Sequence, residues 1–427
     1  MVDSREISSK VLSDIYYGKS FDSALLSNVE YSKLDQRDKS LVSLIVLTTL
    51  RRHGQINNVL SKFLKKPLKK NFLIGYLLRV SVGQILYLEF PEYSVVHNAV
   101  EISKKYKCEK FTNAVLRNVC KNKKKLLKEI PPTNNFPEWV KNDLENFLGK
   151  KNLISIANQI CKEPFLDVNI KKKIFKKYQW EKILKGKRIF ENIIRIKHQS
   201  NVEDLPFYKE GNWWVQGLSA SLPVFLINKI FKKDKIKKSI LDVGASPGGK
   251  SFQLVDSGFK VKSIEISKKR LLTFNTNLSR LNMNPDIIND DFLNLKLKEK
   301  FDCVLIDAPC SGSGLIQKKP EMLVVKKDIS SLINKQKKML LKATNFVKEG
   351  GYIIYCVCSI LKAEGEEQII SFLNDQKDFS AKNLFADILE FGLVLKSNTF
   401  LATPNSIKKR GGIDGFFIAC LIKKKFD

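Results

Sequence analysis

The chain has 427 residues, of which 43% are hydrophobic and 28% charged, and its formal net charge at pH 7 is +31. This length suggests about three domains, and the composition is that of a folded protein. The longest apolar run, residues 41–50, is too short to cross a bilayer, so no membrane association is expected. The first ten residues lack the order of a signal peptide and the eight cysteines are scattered, which predicts a cytoplasmic protein without a disulfide framework.

Basic tracts recur along the chain, at 65–70, 121–128, 171–177 and 231–238. A surface with this excess of positive charge attracts polyanions at long range, and RNA or DNA is the usual partner. Because the tracts are dispersed, a lysine-rich composition that only solvates the surface explains the charge equally well. Charge alone does not decide between these two interpretations.

The first part of the chain, residues 1–130, repeats apolar residues at three- and four-residue steps and contains no convincing strand. This periodicity predicts an all-α bundle, in which Gly18 and Gly54 stand where helices are expected to end. Three prolines between 131 and 137 then interrupt helix formation. Residues 131–205 carry weaker mixed signals and predict a small α/β segment.

From residue 206 to 427 the pattern changes to strands that alternate with helices. The predicted strands are "KSILDVG", "FKVKSIEI", "PDIINDD", "FDCVLIDAP" and "GGYIIYCVCS". Such alternation predicts βαβ units, and therefore a mostly parallel, doubly wound sheet of the Rossmann-like α/β class with helices on both faces.

The stretch "ILDVGASPGGKS", residues 240–251, joins a predicted strand to a helix through a glycine-rich loop, and two interpretations fit it. Gly244 to Ser251 satisfies the spacing of a phosphate-binding loop, in which case Asp307 could hold magnesium in a nucleotide hydrolase. Pro247 argues against this, because it removes a backbone N–H from a loop whose purpose is to donate such groups.

The second interpretation is a site for a nucleoside cofactor at the carboxyl ends of the strands. Glu265 ends the next strand, 21 residues after Gly244, where an acidic residue is expected to bind ribose hydroxyls. Asp291, or Asp290 beside it, ends the third strand and could meet the amino group of a base. With Asp307, three acids stand at successive strand ends, a set that a phosphate-binding loop does not need. The cofactor interpretation is therefore preferred.

Two cysteines, Cys310 and Cys358, are expected beside Asp307 at the carboxyl edge of neighbouring strands. No C-x-x-C pair occurs and the three histidines lie elsewhere, so no metal site is expected. Thiols at strand ends suit covalent catalysis instead. The cysteines expected to pack in the core are Cys303, Cys356 and Cys420.

Methylation of cytosine at carbon 5 is one reaction that needs this set of groups. Carbon 5 is a poor nucleophile until a thiolate adds to carbon 6 and turns the ring into an enamine. The reaction also needs a carboxyl group at the pyrimidine edge and a base that removes the proton from carbon 5. Lys250, Asp307 and the two cysteines offer these groups.

These motifs resemble one known family. "DVGASPGGK", "DAPCSGSG", "YCVCSILKAEGEEQI" and "GIDGFFIA" resemble the Sun-type RNA 5-methylcytosine methyltransferases, and "GNWWVQGLSASL" at 211–222 resembles the family's lead-in helix. "FTNAVLRNV" at 111–119 resembles the antitermination factor NusB, a domain carried by the RsmB branch of the family. The resemblance implies three domains: a NusB-like RNA-binding domain at 1–130, an RNA-binding segment at 131–205 and a methyltransferase domain at 206–427.

The resemblance also implies roles for individual residues. S-adenosylmethionine would be wrapped by the loop Gly244, Ala245, Ser246, Pro247, Gly248, Gly249 and Lys250. Glu265 would hold its ribose and Asp291 its adenine, and Asp307 would lie beside both the cofactor and the reacting base. Cys358 would be the nucleophile and Cys310 would assist product release.

The implied substrate is a cytidine in structured RNA, namely small-subunit ribosomal RNA, and a monomeric enzyme is expected. Three departures from the family pattern stand out. Val357 replaces a threonine, Gly217 replaces an aspartate at a helix start, and "FLDVN" at 165–169 stands where the branch has an arginine-valine-asparagine run.

Overall fold

The computed structural model describes residues 3–67, 69, 71–197, 201–325 and 327–425, so that Leu68 and Lys70 of the first basic tract lie outside it. The chain divides into two compact units. The first comprises Met1–Glu163 and Ile316–Lys327, and the second comprises Pro164–Leu315 and Asp328–Asp427. No helix in the described part is both long and apolar enough to cross a membrane.

The first unit is helical, as the periodicity predicts. Its α-helices in the described residues are α1 Ser4–Tyr16, α2 Phe21–Leu26, α3 Val29–Ser32, α4 Gln36–Arg51, α5 His53–Ser61, α6 Leu73–Tyr87, α7 Glu92–Lys104, α8 Glu109–Lys121, α9 Lys123–Glu129, α10 Glu138–Leu148 and α11 Lys150–Ile160. Helix α4 shows how the sequence specifies them. The Asp35 side chain accepts a hydrogen bond from the Asp38 N–H at 2.7 Å and caps the start, and Val42, Ile45 and Val46 then point into the core.

The two glycines expected to end helices behave differently. Gly18 follows α1 with φ +104°, a left-handed conformation that terminates a helix. The prediction for Gly54 is wrong, because this residue lies inside α5 and α4 has already ended at Arg51. A Cβ at position 54 would lie 1.8 Å from the Asn134 carbonyl oxygen, so glycine is required there for close backbone approach.

The helical unit extends beyond the proline-rich break at which a boundary was expected. Asn135, just after that break, accepts a hydrogen bond from the Gln55 N–H at 3.0 Å and donates one to the Gln55 side chain at 3.1 Å. The Gln55 amide also donates to the Ile130 carbonyl at 2.8 Å. These buried bonds fix residues 130–135 to α5, and the compact unit ends at Glu163 instead of near 130.

A later stretch of the chain, Ile316–Lys327, completes the helical unit. Val324 and Val325 pack against its apolar core. The buried Arg51 side chain donates to the Gln317 carbonyl at 3.0 Å. The first unit is therefore built from two separate parts of the sequence.

The second unit begins with a small antiparallel sheet in the order β2-β3-β1-β4. Its elements are β1 Leu166–Ile170, α12 Lys172–Phe175, α13 Trp180–Ile183, β2 Lys187–Phe190, β3 Ile193–Ile196 and β4 Trp213–Val215. Strand β4 lies in the stretch 211–222 that resembles a lead-in helix. Only the part from Leu218 onwards is helical.

The larger sheet of the second unit carries the predicted strands. It consists of β5 Ser239–Val243, β6 Lys260–Ile264, β7 Asp286–Ile288, β8 Phe301–Asp307, β9 Val347–Val357, β10 Phe379–Ala381, β11 Leu393–Val394, β12 Phe400–Ala402 and β13 Phe416–Lys423. In the described residues its order is β11-β12-β13-β9-β8-β5-β6-β7, with β10 paired to β13. Strands β5 to β9 are parallel to one another, which confirms the predicted class. Strands β10 to β13 add an antiparallel edge, which begins where β13 pairs with β9.

The α-helices that accompany this sheet are α14 Leu218–Ile230, α15 Gly249–Asp256, α16 Lys268–Leu281, α17 Ile329–Ala343 and α18 Glu366–Asp375. Alternate residues of the central strands, such as Cys303 and Leu305 of β8, form one core cluster with apolar side chains of α14. Helix α17 contacts β8 and β9. This packing holds the carboxyl ends of β5 to β9 in fixed positions along one edge.

Candidate active site

The predicted site residues follow the carboxyl ends of five adjacent parallel strands. The glycine-rich loop comes after β5, Glu265 after β6 and Asp291 after β7, while Asp307 ends β8 and Cys358 follows β9. In a doubly wound sheet this edge is where ligands bind. The structure therefore brings the predicted residues to a single edge of the sheet.

The loop after β5 needs glycine at two positions. Gly244 has φ +81°, and a Cβ there would lie 2.5 Å from the Asp307 carbonyl oxygen. Gly248 has φ +117°, and a Cβ there would overlap the ring of Phe252 at 2.0 Å. Gly249 is less restricted, because a Cβ on it would meet the Gln216 side chain at 3.2 Å. The loop is thus held against β8 and against its own helix.

Glu265 connects this loop to β6. Its carboxylate is 2% exposed and accepts hydrogen bonds from the Ser246 N–H at 3.2 Å and the Ser267 N–H at 2.8 Å. Arg270 lies 3.5 Å from the same carboxylate and also donates to the Ser246 carbonyl. Each carboxylate oxygen keeps a further lone pair with which it can accept from a ligand hydroxyl.

The two acids after β7 have different environments. Asp290 is exposed, and its side chain accepts from the Asp291 N–H at 2.7 Å. Asp291 is partly buried and accepts from the Leu293 N–H at 3.0 Å. Asn289, which the sequence analysis did not single out, donates to the Glu265 carbonyl at 2.6 Å and joins the ends of β6 and β7.

Lys250 and Asp307 form an ion pair below the loop, with Nζ and Oδ2 2.7 Å apart. Burial by itself would lower the pKa of Lys250, but the Asp307 carboxylate more than compensates and holds that pKa above its ordinary value. Lys250 is consequently a cation at neutral pH. Nearby on β5, burial raises the pKa of Asp242 to about 6, although the Ser251 hydroxyl donates to its carboxylate.

The two cysteines predicted to act in catalysis are in contact. The Cys310 and Cys358 sulfur atoms lie 3.2 Å apart, and both residues are partly buried. The neighbouring Cys358 side chain and burial together raise the pKa of Cys310 well above that of a free thiol. Cys310 is therefore a protonated thiol at neutral pH, and it can donate to the Cys358 sulfur.

The remaining cysteines named from the sequence are core residues, as predicted. Cys303, Cys356 and Cys420 are fully buried and belong to the apolar cluster beneath α14. Cys356 also approaches the Ile306 carbonyl with its sulfur at 3.3 Å. It lies in β9 two residues before Cys358, and its sulfur is also 3.9 Å from Asp307 Oδ1.

Sequence reasoning missed the buried polar residues that support the site. Gln216 accepts from the Trp214 and Asn169 side chains at 2.8 and 2.9 Å, and it packs against Gly249. Glu364 accepts from the Ser311 and Ser359 hydroxyls. The only available signal for Glu364 was its place among the acids that trail the second cysteine motif.

The structure also accounts for the missing aspartate at position 217. Gly217 precedes α14 and offers no side chain to cap it, but the Asp167 carboxylate accepts from the Leu218 N–H at 3.0 Å. Asp167 in turn forms a buried, two-pronged ion pair with Arg195 at 2.6 and 2.8 Å. The aspartate of "FLDVN" thus supplies the acceptor at the start of α14 that Gly217 cannot supply.

Two parts of the chain match models of known protein families. Residues 230–422 match the family model described as 16S rRNA methyltransferase RsmB/F, and residues 2–121 match the NusB family. The first match covers the parallel strands β5 to β9 and the loops that follow them. This match favours the cofactor interpretation of the glycine-rich loop over a nucleotide hydrolase, and S-adenosylmethionine is the cofactor of such a methyltransferase.

Curated relatives resemble this chain over most of its length. Ribosomal RNA small subunit methyltransferase B of Proteus mirabilis is 28% identical over 369 residues, which cover 81% of this chain and 85% of the relative. A probable ribosomal RNA small subunit methyltransferase B of Bacillus subtilis is 25% identical, over 99% of this chain and 98% of the relative.

Solved structures share the fold. The crystal structure of PH0851 has a TM-score of 0.75 and 21% identity, and the alignment covers 100% of this chain and 99% of that one. NSun6 from Pyrococcus horikoshii, solved with SFG, has a TM-score of 0.58 and 17% identity, over 68% of this chain and 99% of that one. At these identities the likeness concerns the fold alone.

The residues of the loop fit S-adenosylmethionine. Ser246 Oγ is buried and has no hydrogen-bond partner in the described part of the chain, so the loop retains a polar atom that a ligand can satisfy. Because Gly244 has no side chain, the loop backbone can lie close to the Asp307 carbonyl. The Glu265 carboxylate follows the end of the next strand, β6. A nucleoside with ribose hydroxyls matches this donor and acceptor set.

Proposed function

We propose that this protein transfers a methyl group from S-adenosylmethionine to carbon 5 of a cytidine in small-subunit ribosomal RNA, with Cys358 as the nucleophile. The observation that carries the proposal is the pair of thiols, 3.2 Å apart, beside the Lys250–Asp307 ion pair at the carboxyl edge of the sheet. Chemistry at carbon 5 of cytosine needs a thiolate that adds to carbon 6 and a carboxyl group at the pyrimidine edge, and a nearby cation can stabilise the charge that develops on the ring.

The first step is addition of the Cys358 thiolate to carbon 6 of the ring. Negative charge then moves toward N3 and O2, where the Lys250 cation can stabilise it. The Asp307 side chain keeps 30% exposure and can accept a hydrogen bond from the exocyclic amine of the base. When bound, S-adenosylmethionine supplies the electrophilic methyl group that carbon 5 attacks, and it leaves as the neutral thioether.

The last step restores the aromatic ring. The proton on carbon 5 is lost to water, the double bond between carbons 5 and 6 re-forms, and the Cys358 sulfur leaves carbon 6. The Cys310 thiol, which keeps its proton, donates a hydrogen bond to the departing sulfur. Lys250 is paired with Asp307 and protonated, so we assign it a charge-stabilising role and not that of the base.

The proposed substrate and setting rest on the relatives and on charge. Both relatives described above are named as small-subunit ribosomal RNA methyltransferases. The net charge of +31 suits a polyanionic substrate, and we propose that the NusB-like domain and the small sheet region bind that RNA. A monomer acting in the cytoplasm accords with this proposal. The target base must leave its stack to meet Cys358, which costs a few kcal/mol.

Two single variants test the proposed roles of the cysteines. Each variant is incubated with transcribed small-subunit ribosomal RNA and S-adenosylmethionine and is run on a denaturing gel. Cys310→Ala should still attack and transfer methyl, but release should stall, so a covalent protein–RNA band should accumulate. Cys358→Ala should give neither methylation nor a covalent band, whereas Cys420→Ala, a fully buried core control in β13, should methylate without a stable adduct.

The opposite pattern would reverse the assignment. A covalent band from Cys358→Ala and none from Cys310→Ala would make Cys310 the nucleophile. Methylated product is then mapped by bisulfite sequencing of the RNA, since 5-methylcytosine resists conversion. A modified base other than cytosine, or a methyl group at another ring position, would contradict the proposed reaction itself.

A further inference from the structure

A buried carboxylate lies directly behind the two thiols and takes no part in the chemistry described above. Glu364 precedes α18 and is 0% exposed. Its oxygens accept hydrogen bonds from the Ser311 N–H at 2.7 Å, the Ser311 hydroxyl at 2.5 Å, the Ser359 hydroxyl at 2.6 Å and the Gln336 amide at 3.1 Å. No described ion pair involves this carboxylate, so neutral donors alone hold it.

The donors come from the two segments that carry the catalytic cysteines. Ser311 directly follows Cys310, and Ser359 directly follows Cys358. One carboxylate therefore binds the residue next to each thiol, across 48 positions of sequence. Holding Ser311 and Ser359 fixes the backbone beside each cysteine. Because a cysteine side chain then has only a few staggered rotamers, the positions of the two sulfur atoms are also restricted.

Further bonds make the two segments one assembly. The Ser313 and Ser359 hydroxyls lie 2.9 Å apart, and the Gly314 N–H donates to the Cys358 carbonyl at 3.1 Å. The Gln336 amide, besides binding Glu364, donates to the Pro309 carbonyl at 2.9 Å. Glu364 is the member of this network that contacts donors from both cysteine segments and from α17.

We propose that Glu364 is a positioning residue, which sets the distance between the Cys310 and Cys358 sulfur atoms and thereby the rates of attack and release. The effect on the rates of attack and release rests on the proposed function, whereas the effect on the distance between the two sulfur atoms does not. A carboxylate is needed because both of its oxygens act as acceptors. Oε1 accepts from the Ser311 N–H and the Gln336 amide, and Oε2 accepts from the two serine hydroxyls. Its negative charge also helps to keep the proton on Cys310.

The test compares Glu364→Gln with Glu367→Gln. Glutamine keeps the shape of the side chain but replaces one acceptor oxygen by a donor, so at least one serine contact is lost. Glu367 lies in the first turn of α18, three residues after Glu364, and it is exposed. Among the described residues its one ion pair is with Lys362 at 3.7 Å, which makes it a matched control. Ser359→Ala, a smaller change that removes one donor, covers the case in which Glu364→Gln does not fold.

The first readout is the effective concentration of the two thiols, which reports their proximity without any RNA. At pH 7 the protein is equilibrated with mixtures of reduced and oxidised glutathione, and the Cys310–Cys358 disulfide is quantified by peptide mass mapping. Oxidised glutathione is the oxidant, and each disulfide formed yields two molecules of reduced glutathione. Glu364→Gln should lower the effective concentration at least tenfold, and Glu367→Gln should leave it unchanged.

The second readout is methyl transfer in a single turnover. Glu364→Gln should slow it at least tenfold with unchanged affinity for S-adenosylmethionine, as expected if thiol placement and not cofactor binding is affected. The inference is overturned if a folded Glu364→Gln variant keeps the effective thiol concentration or the methyl-transfer rate within twofold of wild type. If Glu364→Gln does not fold, the same criterion applies to Ser359→Ala. If wild type itself transfers no methyl to RNA, the proposed function fails, while the glutathione result still decides the geometry.

Discussion

The buried ion pair between Asp167 and Arg195 allows a quantitative prediction about stability. The guanidinium binds both carboxylate oxygens, at 2.6 and 2.8 Å, and donates to the Arg410 and Gly412 carbonyls at 2.8 and 2.7 Å. The carboxylate also caps α14 through Leu218. Removing one partner leaves the other charge buried without compensation, which typically costs about 3–5 kcal/mol.

The perturbation is a double-mutant cycle. Asp167→Leu leaves the guanidinium with two carbonyls only, and Arg195→Met leaves the carboxylate with a single N–H, so each should lower the free energy of unfolding by about 3–5 kcal/mol. The double variant buries no charge. It should be more stable than the sum of the two losses predicts, by about 2–3 kcal/mol.

The assay is urea unfolding followed by tryptophan fluorescence. Trp180, Trp213 and Trp214, three of the four tryptophans of the chain, are buried in the same unit as the ion pair, so the signal reports this unit. Asp375→Ala, which removes an exposed pair with Lys337 at 3.4 Å, is the control and should cost less than about 1 kcal/mol. If the loss of unfolding free energy in the double variant equals the sum of the two single losses within about 0.5 kcal/mol, the reasoning is refuted.

Two further predictions concern the cofactor edge. Burial raises the pKa of Asp242 from 3.8 to about 6, so the folded state binds this proton more tightly and wild type loses stability as pH rises from 4 through 6. Asp242→Asn should therefore be more stable than wild type at pH 7.5, by up to about 3 kcal/mol, and the gain should vanish near pH 4; an equal gain at both pH values in urea titrations would contradict this. Glu265→Ala should weaken S-adenosylmethionine binding by about 1–3 kcal/mol in calorimetry, whereas Glu299→Ala, at an exposed ion pair with Lys262, should not. Unchanged binding by Glu265→Ala would place the ribose contact elsewhere.

The sequence predicts the site edge well because parallel strands align their carboxyl ends. Once β5, β6, β7, β8 and β9 were recognised by pattern, the acids and thiols after them had to share one edge. The antiparallel strands β10 to β13 were not predicted. Strand β12 has three residues, and β13 is a continuous apolar run that periodicity does not distinguish from a buried helix.

What the sequence could not supply was the pairing of distant polar residues. Asp167 caps a helix that begins 51 positions later. Glu364 binds Ser311 across 53 positions. Such partners satisfy buried hydrogen bonds, and their identity depends on packing that local patterns do not specify. The same holds for Gly54, whose need for glycine comes from the backbone at Asn134 and not from its own helix.

The discontinuous first unit has a consequence for how the protein is made. Domains generally fold in the order in which they leave the ribosome. Here the helical core lacks Val324 and Val325 until that late stretch has been synthesised, although its helices up to Ile160 appear early. Residues 164–315, which belong to the other unit, emerge in between. The apolar surface that Val324 and Val325 cover in the folded unit is therefore uncovered until that stretch has emerged.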